Sequence, residues 1–128
     1  MKVPILRLGP ILLTSIQVEL SDADVMQFQN DVVHHIANTE ALGIAIDITS
    51  LEVVDSYMAR VINDTASMAR LLGAEVVVCG IQPFVAMTLV EMGRGLIGAD
   101  CVFNLDQGLA RLRERITARG DADLGDDK

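Results

Sequence analysis

The segment GIAIDITSLEVVDSYMAR, residues 43–60, is the stretch of sequence that most clearly indicates the fold. Its first part, residues 44–48, is rich in β-branched apolar residues, which is typical of a strand covered by helices on both faces. After Asp55, a residue type favoured at helix N-caps, the apolar residues recur with helical spacing. The segment therefore predicts a central strand, a loop and a helix with Ser56 in its first turn.

The predicted helix, residues 55–72, has an apolar stripe on one side and a polar row on the other. The stripe is expected to pack on the sheet and consists of Met58, Val61, Ile62, Thr65, Ala69 and Leu72. The row is expected to face solvent or a partner and consists of Ser56, Arg60, Asn63, Ser67 and, at its margin, Arg70. Position alone leaves two roles open for Ser56. It could only cap the helix, or its hydroxyl could be accessible to another protein and carry a phosphate, which the positive end of the helix dipole would tolerate.

Composition narrows the class of protein. A chain of 128 residues suits one domain, and 51% hydrophobic against 3% aromatic residues predicts an α/β core of aliphatic side chains. The net charge of −8 argues against binding to nucleic acid or to an anionic membrane surface. Because no apolar run is long enough to span a bilayer and no signal peptide is apparent, a cytoplasmic protein is expected. Cys79 and Cys101 predict two free thiols buried in strands.

The remaining elements complete the order ββαβαβαβα. Strands are predicted at residues 3–8, 10–18, 43–49, 74–80 and 101–105, and helices at 21–39, 55–72, 83–93 and from 106 onward. Ser21, Asp55 and Asp106 are the predicted N-caps, and Pro83 is predicted at a first helical position.

The first two strands predict an edge hairpin, and right-handed crossovers join the others. We therefore expect a small mixed, mostly parallel sheet covered by about four helices, in a domain of residues 1–118 with an acidic disordered tail at 119–128. Ser56 is expected at the C-terminal ends of the parallel strands, where such sheets place their sites.

The motifs of enzymes and of metal sites are lacking. The Gly-x-Gly-x-x-Gly spacing that begins at Gly93 follows a helix, which is the wrong context for a dinucleotide, and no serine elbow surrounds Ser56. The carboxylates at Asp47, Glu52 and Asp55 are too common a combination to indicate Mg²⁺. We predict no catalytic residue, cofactor or metal. Asp47 is expected to hold the loop before Ser56 by hydrogen bonds, since the other residues of a receiver-type phosphoaspartate site are missing.

Several segments resemble a known family. They are ILRL at 5–8, LLTSIQVEL at 12–20, IDITSLEVVDSYMAR at 46–60, MARLLGA at 68–74 and GIQPFVAMTLVEMG at 80–93. These segments resemble the STAS-domain family, in its branch of RsbS-like scaffold proteins of the bacterial stressosome. The resemblance extends from residue 3 to about residue 116 and leaves out the acidic tail.

The resemblance implies a non-enzymatic regulator of a bacterial general stress response. Such proteins self-associate through STAS domains, assemble with RsbR-like co-scaffolds and sequester an RsbT-type serine/threonine kinase. Phosphorylation, which maps to Ser56, releases the kinase, and a PP2C-type phosphatase reverses it. The family places an aspartate before the phosphorylated serine, here Asp55. From the geometry of the predicted helix alone, its outward residues Arg60, Asn63 and Ser67 join Asp55 as the expected partner contacts. Two alternatives stay open, a free anti-sigma factor antagonist that acts as a small monomer or dimer without a shell, and a small receiver-like or α/β enzyme.

Overall fold

A computed structural model describes residues 2–92 and 99–120, and in them the predicted element order is confirmed. The strands are β1 (Ile5–Leu8), β2 (Ile11–Ser15), β3 (Gly43–Asp47), β4 (Glu75–Cys79) and β5 (Ala99–Val102). The helices are α1 (Asp22–Thr39), α2 (Ser56–Leu71), α3 (Pro83–Glu91) and α4 (Leu105–Ala118).

The strands form one sheet in the order β1-β2-β3-β4-β5. The β1–β2 hairpin is antiparallel and lies at an edge, as predicted, while every other pairing is parallel. The strand β3 is central, as its β-branched apolar residues predict. Because β2 to β5 run in the same direction, their C-terminal ends share one edge of the sheet, and the chain leaves β3 towards Ser56 from that edge.

Two apolar clusters cover the two faces of the sheet. Alternate strand residues such as Ile44 and Val78 join the larger cluster, to which α1, α2 and α3 contribute. The intervening residues, among them Ala45 and Val77, join a smaller cluster with Leu112 of α4. Three helices therefore lie on one face and α4 lies on the other.

The helix starts follow local cap chemistry. Ser21 Oγ accepts a hydrogen bond from Asp24 N at 3.1 Å, and Pro83 occupies the first turn of α3, both as predicted. For α4 the prediction is wrong, because Asn104 is the N-cap and Asp106 lies in the first turn. Asn and Asp are equally good caps, and β5 ends three residues earlier than its apolar pattern indicates, so the helix begins sooner.

Two burial predictions are wrong. Leu72 is 46% exposed, and it is the C-cap that follows Leu71, the last residue of α2. Cys101 is exposed because it lies on the edge strand β5, whereas Cys79 is buried, and both thiols are free as predicted.

The predicted tail falls almost entirely outside the described residues, as does the glycine spacing at residues 93–98. Arg119, the first residue of that predicted tail, caps the C-terminus of α4. Its guanidinium donates a hydrogen bond to Gly73 O at 2.8 Å and lies 3.3 Å from Glu75 Oε2. The domain boundary at residue 118 and the disorder beyond it stay predictions.

Candidate functional site

Ser56 is the first residue of α2 and its side chain is exposed. The preceding residue, Asp55, provides the cap, because its Oδ1 accepts a hydrogen bond from Met58 N at 2.7 Å and its carbonyl accepts one from Ala59 N at 3.0 Å. Within the described part of the chain, the Ser56 hydroxyl has no hydrogen-bond partner. Since Asp55 is the cap, α2 does not need Ser56 for that role, and its hydroxyl is accessible for chemistry.

The loop between β3 and α2 is held in place at Thr49. Asp47 Oδ1 accepts hydrogen bonds from Thr49 N at 3.0 Å and from Thr49 Oγ1 at 2.6 Å. From the next loop along the sheet, Gln82 Nε2 donates to Thr49 O at 2.8 Å. The predicted hydrogen-bonding role of Asp47 is confirmed, and Gln82 ties the start of α3 to the loop that leads to Ser56.

A second set of hydrogen bonds links this loop to the end of β2. Ser50 Oγ donates to Gln17 Oε1 at 3.0 Å, and Gln17 Nε2 in turn donates to Ser15 Oγ. Sequence reasoning did not single out Gln17, although a polar residue just after a buried strand is a usable signal. Hydrogen bonds therefore connect the loops that follow β2, β3 and β4 into one polar edge of the sheet, and the chain runs from this edge to Ser56.

Gly80 allows the loops after β3 and β4 to approach each other. Its φ is +77°, and a Cβ at this position would lie 2.0 Å from Thr49 Oγ1 and 2.9 Å from Thr49 Cα. Only glycine satisfies both the left-handed conformation and the close contact. The position of Thr49, and therefore of the loop before Ser56, depends on residue 80 having no side chain.

The predicted outward row on α2 is only partly correct. Arg60 is exposed and Ser67 is half-buried, but Asn63 is 4% exposed, so its expected direction is wrong. The reason is that α2 packs against α1 and α3 as well as on the sheet. These neighbours bury a wider arc of the helix than one sheet-facing stripe, and Asn63 lies within that arc.

Around Ser56 the surface is acidic and apolar. Asp55 and Glu52 are exposed, and the apolar side chains of Val53 and Tyr57 are 54% and 36% exposed. Arg60 follows Ser56 by one helical turn and supplies a positive charge on the same side. An exposed hydroxyl among exposed apolar groups suits contact with a macromolecule.

Cys79, at the C-terminal end of β4, is a poor nucleophile. Burial, with smaller contributions from the negative charges of Asp47 and Cys101, raises the pKa of the Cys79 thiol to about 12. The thiol therefore stays protonated at neutral pH, whereas nucleophilic cysteines require the thiolate.

Metal-ligating side chains are dispersed in the part of the chain that the structure describes. No three His, Cys, Asp or Glu side chains there come close enough to hold an ion. The adjacent His34 and His35 each direct Nδ1 to a carbonyl oxygen of their own helix, at 2.7 Å and 3.3 Å. None of the described helices combines the length and the apolar character that crossing a bilayer requires.

Comparisons with known proteins agree with this geometry. The family model of the STAS domain matches residues 3–96. A serine-to-glutamate variant of RsbS from Moorella thermoacetica is 39% identical, with a TM-score of 0.79, and the match covers 91% of this chain and 97% of that one. A structure described as the molecular architecture of the stressosome, a signal integration and transduction hub, is also 39% identical, with a TM-score of 0.75, over 88% of this chain and 97% of that one.

A curated relative and a more distant structure extend the comparison. The RsbT co-antagonist protein RsbRA of Bacillus subtilis is 30% identical over 115 residues, which are 90% of this chain and 40% of RsbRA, so the chain spans less than half the length of that relative. The anti-sigma factor antagonist SpoIIAA in its unphosphorylated form is 13% identical with a TM-score of 0.72, over 88% of this chain and 96% of that one, and supports the fold alone. From the family model and the similarity to RsbS, the chain belongs to the STAS-domain family.

Proposed function

We propose that this protein is an RsbS-like, non-enzymatic stressosome component that acts in the cytoplasm. In this proposal it sequesters an RsbT-type serine/threonine kinase and releases it when Ser56 is phosphorylated, thereby controlling a general stress response. The observation that carries the proposal is the exposed, unengaged Ser56 hydroxyl at the start of α2. The 39% identity to RsbS over most of the chain supports it.

The proposed reaction is phosphoryl transfer from ATP to Ser56 Oγ, which loses its proton as the O–P bond forms and ADP leaves. The kinase supplies the catalytic groups, and this chain supplies only the acceptor. The positive end of the α2 dipole favours the resulting dianion. Asp55 opposes it, because its carboxylate is held at the same helix end by Met58 N.

The magnitudes favour a switch in the interface over a switch in the fold. A phosphate adds about −1.5 to −2 charges and gains about 0.3–1 kcal/mol from the helix end, which repulsion from Asp55 and Glu52 offsets. Across a close protein contact, an unpaired charge costs about 2–5 kcal/mol, which weakens binding more than tenfold. Phosphorylation is therefore expected to expel the partner and to leave the domain folded.

The proposed contacts are residues at the start of α2 or along its outer side that are at least partly exposed. Asp55, Arg60 and Ser67 are the proposed partner contacts, whereas the buried Asn63 is withdrawn from the set. We further propose an RsbR-like STAS co-scaffold as the assembly partner, in agreement with the 30% identity to RsbRA. A PP2C-type phosphatase would remove the phosphate and restore kinase binding.

The test is the intact mass of the protein after incubation with ATP and an RsbT-type kinase. Wild type is expected to gain one phosphate and Ser56→Ala none. Ser50→Ala is the control, because it removes an exposed hydroxyl from the loop that precedes α2 and is expected to gain the phosphate. Phosphorylated wild type is then expected to bind the kinase at least tenfold more weakly. Phosphorylation of Ser56→Ala, or equal kinase affinity before and after phosphorylation, would contradict the proposal.

The alternative of a free anti-sigma factor antagonist makes a different prediction for particle mass. Mixed with an RsbR-like partner, a stressosome component is expected to enter a very large particle, whereas a free antagonist stays a small species. We favour the stressosome because the 39% identical structures are RsbS and the stressosome, while the similarity to SpoIIAA is 13%.

A further inference from the structure

Four arginines share two carboxylates at the edge of the sheet where β4 and β5 begin. We call these side chains the arginine cluster, which consists of Arg70, Arg111, Arg115, Arg119, Glu75 and Asp100. Arg115 Nε and Arg111 Nη1 lie 2.9 Å and 3.4 Å from Asp100 Oδ2. Arg70 Nη1 lies 2.9 Å from Glu75 Oε1, and Arg119 contacts the other oxygen of the same carboxylate. Each carboxylate therefore serves two guanidinium groups.

The arginine cluster has an excess of positive charge. Four guanidinium groups against two carboxylates leave two positive charges in excess. Glu114, 3.5 Å from Arg111 Nε, offsets only part of this excess, because its side chain is 75% exposed and water screens the attraction. In a chain of net charge −8, such a positive surface is an exception that attracts anions.

The guanidinium groups are also more accessible than the carboxylates they contact. The side chains of Asp100 and Glu75 are 24% and 13% exposed, whereas those of the four arginines are 33% to 52% exposed. A guanidinium has five N–H donors, and Arg115 uses two of them on Asp100. The surface that a ligand meets is therefore positive and keeps donors for a further anion.

Three of the arginines form a row along α4 that ends where an acidic segment begins. Arg111, Arg115 and Arg119 are spaced by four residues, so they lie on one side of the helix. Residues 121–128 follow at once and contain four aspartates and one lysine. Six extended residues span about 20 Å, which exceeds the roughly 12 Å from Arg119 back to Arg111 along the helix axis. The segment is therefore long enough to reach every arginine of the row.

We propose that residues 121–128 fold back and bind the arginine cluster through their aspartate carboxylates. Hydrogen bonds between a guanidinium and a carboxylate are assisted by both charges, and the row offers several guanidinium groups at a regular spacing. Because the segment is attached beside the cluster, its effective concentration there is about millimolar. A free anion such as a phosphate-bearing ligand meets the same donors but has to displace this tethered competitor.

The proposed contact is distant from Ser56. Arg70 follows Ser56 on α2 by almost four turns, about 21 Å along the helix axis, and the cluster lies where β4 and β5 begin. The contact requires neither the kinase nor phosphorylation, so this proposal and the proposed function fail separately. The disorder that the composition predicts for the segment would then describe it when salt screens the contact.

The first test is the backbone order of residues 121–127 in the full chain, measured by the ¹H–¹⁵N nuclear Overhauser effect. At low ionic strength the wild type is expected to show values raised towards those of the folded domain. In about 1 M salt, where the Debye length is about 3 Å, the values are expected to fall to those of a free chain. Equal order at both ionic strengths would overturn the proposal.

Two arginines of α4 provide a matched pair of variants for the same measurement. Arg115→Gln is expected to lower the order of the segment at low ionic strength, because it removes a guanidinium from the middle of the row. Arg113→Gln removes the same charge from the same helix about 200° away, and it is expected to behave like wild type. Equal effects of the two variants would show general attraction between charges and would contradict the proposed contact.

A second measurement leaves every residue of the helices and strands unchanged. Four substitutions remove the carboxylates of the segment in the full chain, namely Asp121→Asn, Asp123→Asn, Asp126→Asn and Asp127→Asn. Tripolyphosphate is the probe, and its binding is followed through the Nε–H signal of Arg115. The variant is expected to bind it at least about threefold more tightly than wild type, as follows if the segment occupies the cluster in two thirds of the molecules.

The Nε–H signal of Arg113 is the internal control in this titration. A general loss of negative charge would shift it together with the signal of Arg115, whereas binding at the arginine cluster is expected to leave it in place. Equal affinities of wild type and variant, equal shifts of both signals, or no binding to either protein would overturn the proposal.

Discussion

Replacing Gly80 by alanine tests whether the loops at the polar edge of the sheet can pack together only when residue 80 has no side chain. The new Cβ would lie 2.0 Å from Thr49 Oγ1 and 2.9 Å from Thr49 Cα, with φ at +77°. The left-handed conformation costs about 1–2 kcal/mol in a non-glycine residue, and forced overpacking costs about 1–3 kcal/mol. Thr49 cannot move aside freely, because Asp47 and Gln82 hold it from two sides. The expected loss of unfolding free energy is therefore about 2–5 kcal/mol.

Urea denaturation of Gly80→Ala beside Gly73→Ala separates the two costs. Gly73 also has a positive φ, +102°, but a Cβ there meets nothing within 4 Å. Gly73→Ala is therefore expected to lose only the conformational cost, about 1–2 kcal/mol. A Thr49→Ala background removes the hydroxyl that the new Cβ meets and is expected to recover part of the Gly80→Ala loss.

The same variant tests whether loop position affects Ser56. Because the displaced Thr49 belongs to the loop that leads into α2, phosphorylation of Ser56 by the kinase is expected to slow in Gly80→Ala and to stay normal in Gly73→Ala. If both alanine variants lose the same unfolding free energy, the contact with Thr49 carries no cost and the reasoning is refuted.

Three further predictions concern Cys79 and its surroundings. Burial raises the pKa of the Cys79 thiol to about 12, and partial burial with the charge of Asp100 also raises the pKa of the Cys101 thiol. Because only Cys101 is exposed, iodoacetamide at pH 8 is expected to alkylate native protein at Cys101 alone and more slowly than a free thiol, and two rapid modifications would contradict this. Above about pH 9 the unfolded chain loses the Cys79 proton while the native state keeps it, so this thiol is expected to lower the free energy of unfolding as pH rises towards 12. Urea titrations at increasing pH should show this loss in wild type and lack it in Cys79→Ala. A Cβ at Gly108 would lie 2.6 Å from Cys79 Sγ, so Gly108→Ala is expected to lower the free energy of unfolding by about 1–3 kcal/mol. In a Cys79→Ala background the same change is expected to cost little, and equal costs in both backgrounds would count against the contact.

Local chemistry explains why much of the fold is predictable from sequence. The caps Ser21 and Asp55 act on amides three residues away, and the apolar runs that form β3 and β4 are buried on both faces whatever their exact neighbours. The sequence pattern places the N-cap of α4 two residues too late, at Asp106, because Asn104 and Asp106 are equally good caps. Only the end point of β5, which depends on pairing with β4, chooses between them.

The sequence by itself determined the order of elements, the central strand, the start of α2 and the position of Ser56 within it, since each depends on residues close in the chain. The tertiary structure alone decided the burial of Asn63, the exposure of Cys101 and the hydrogen bond from Ser50 to Gln17. Those features depend on which helices flank α2, on which strand is at the edge and on contacts across 33 residues. The periodicity of the sequence indicates that a helix has a buried side, but only packing against distant segments determines how wide that side is.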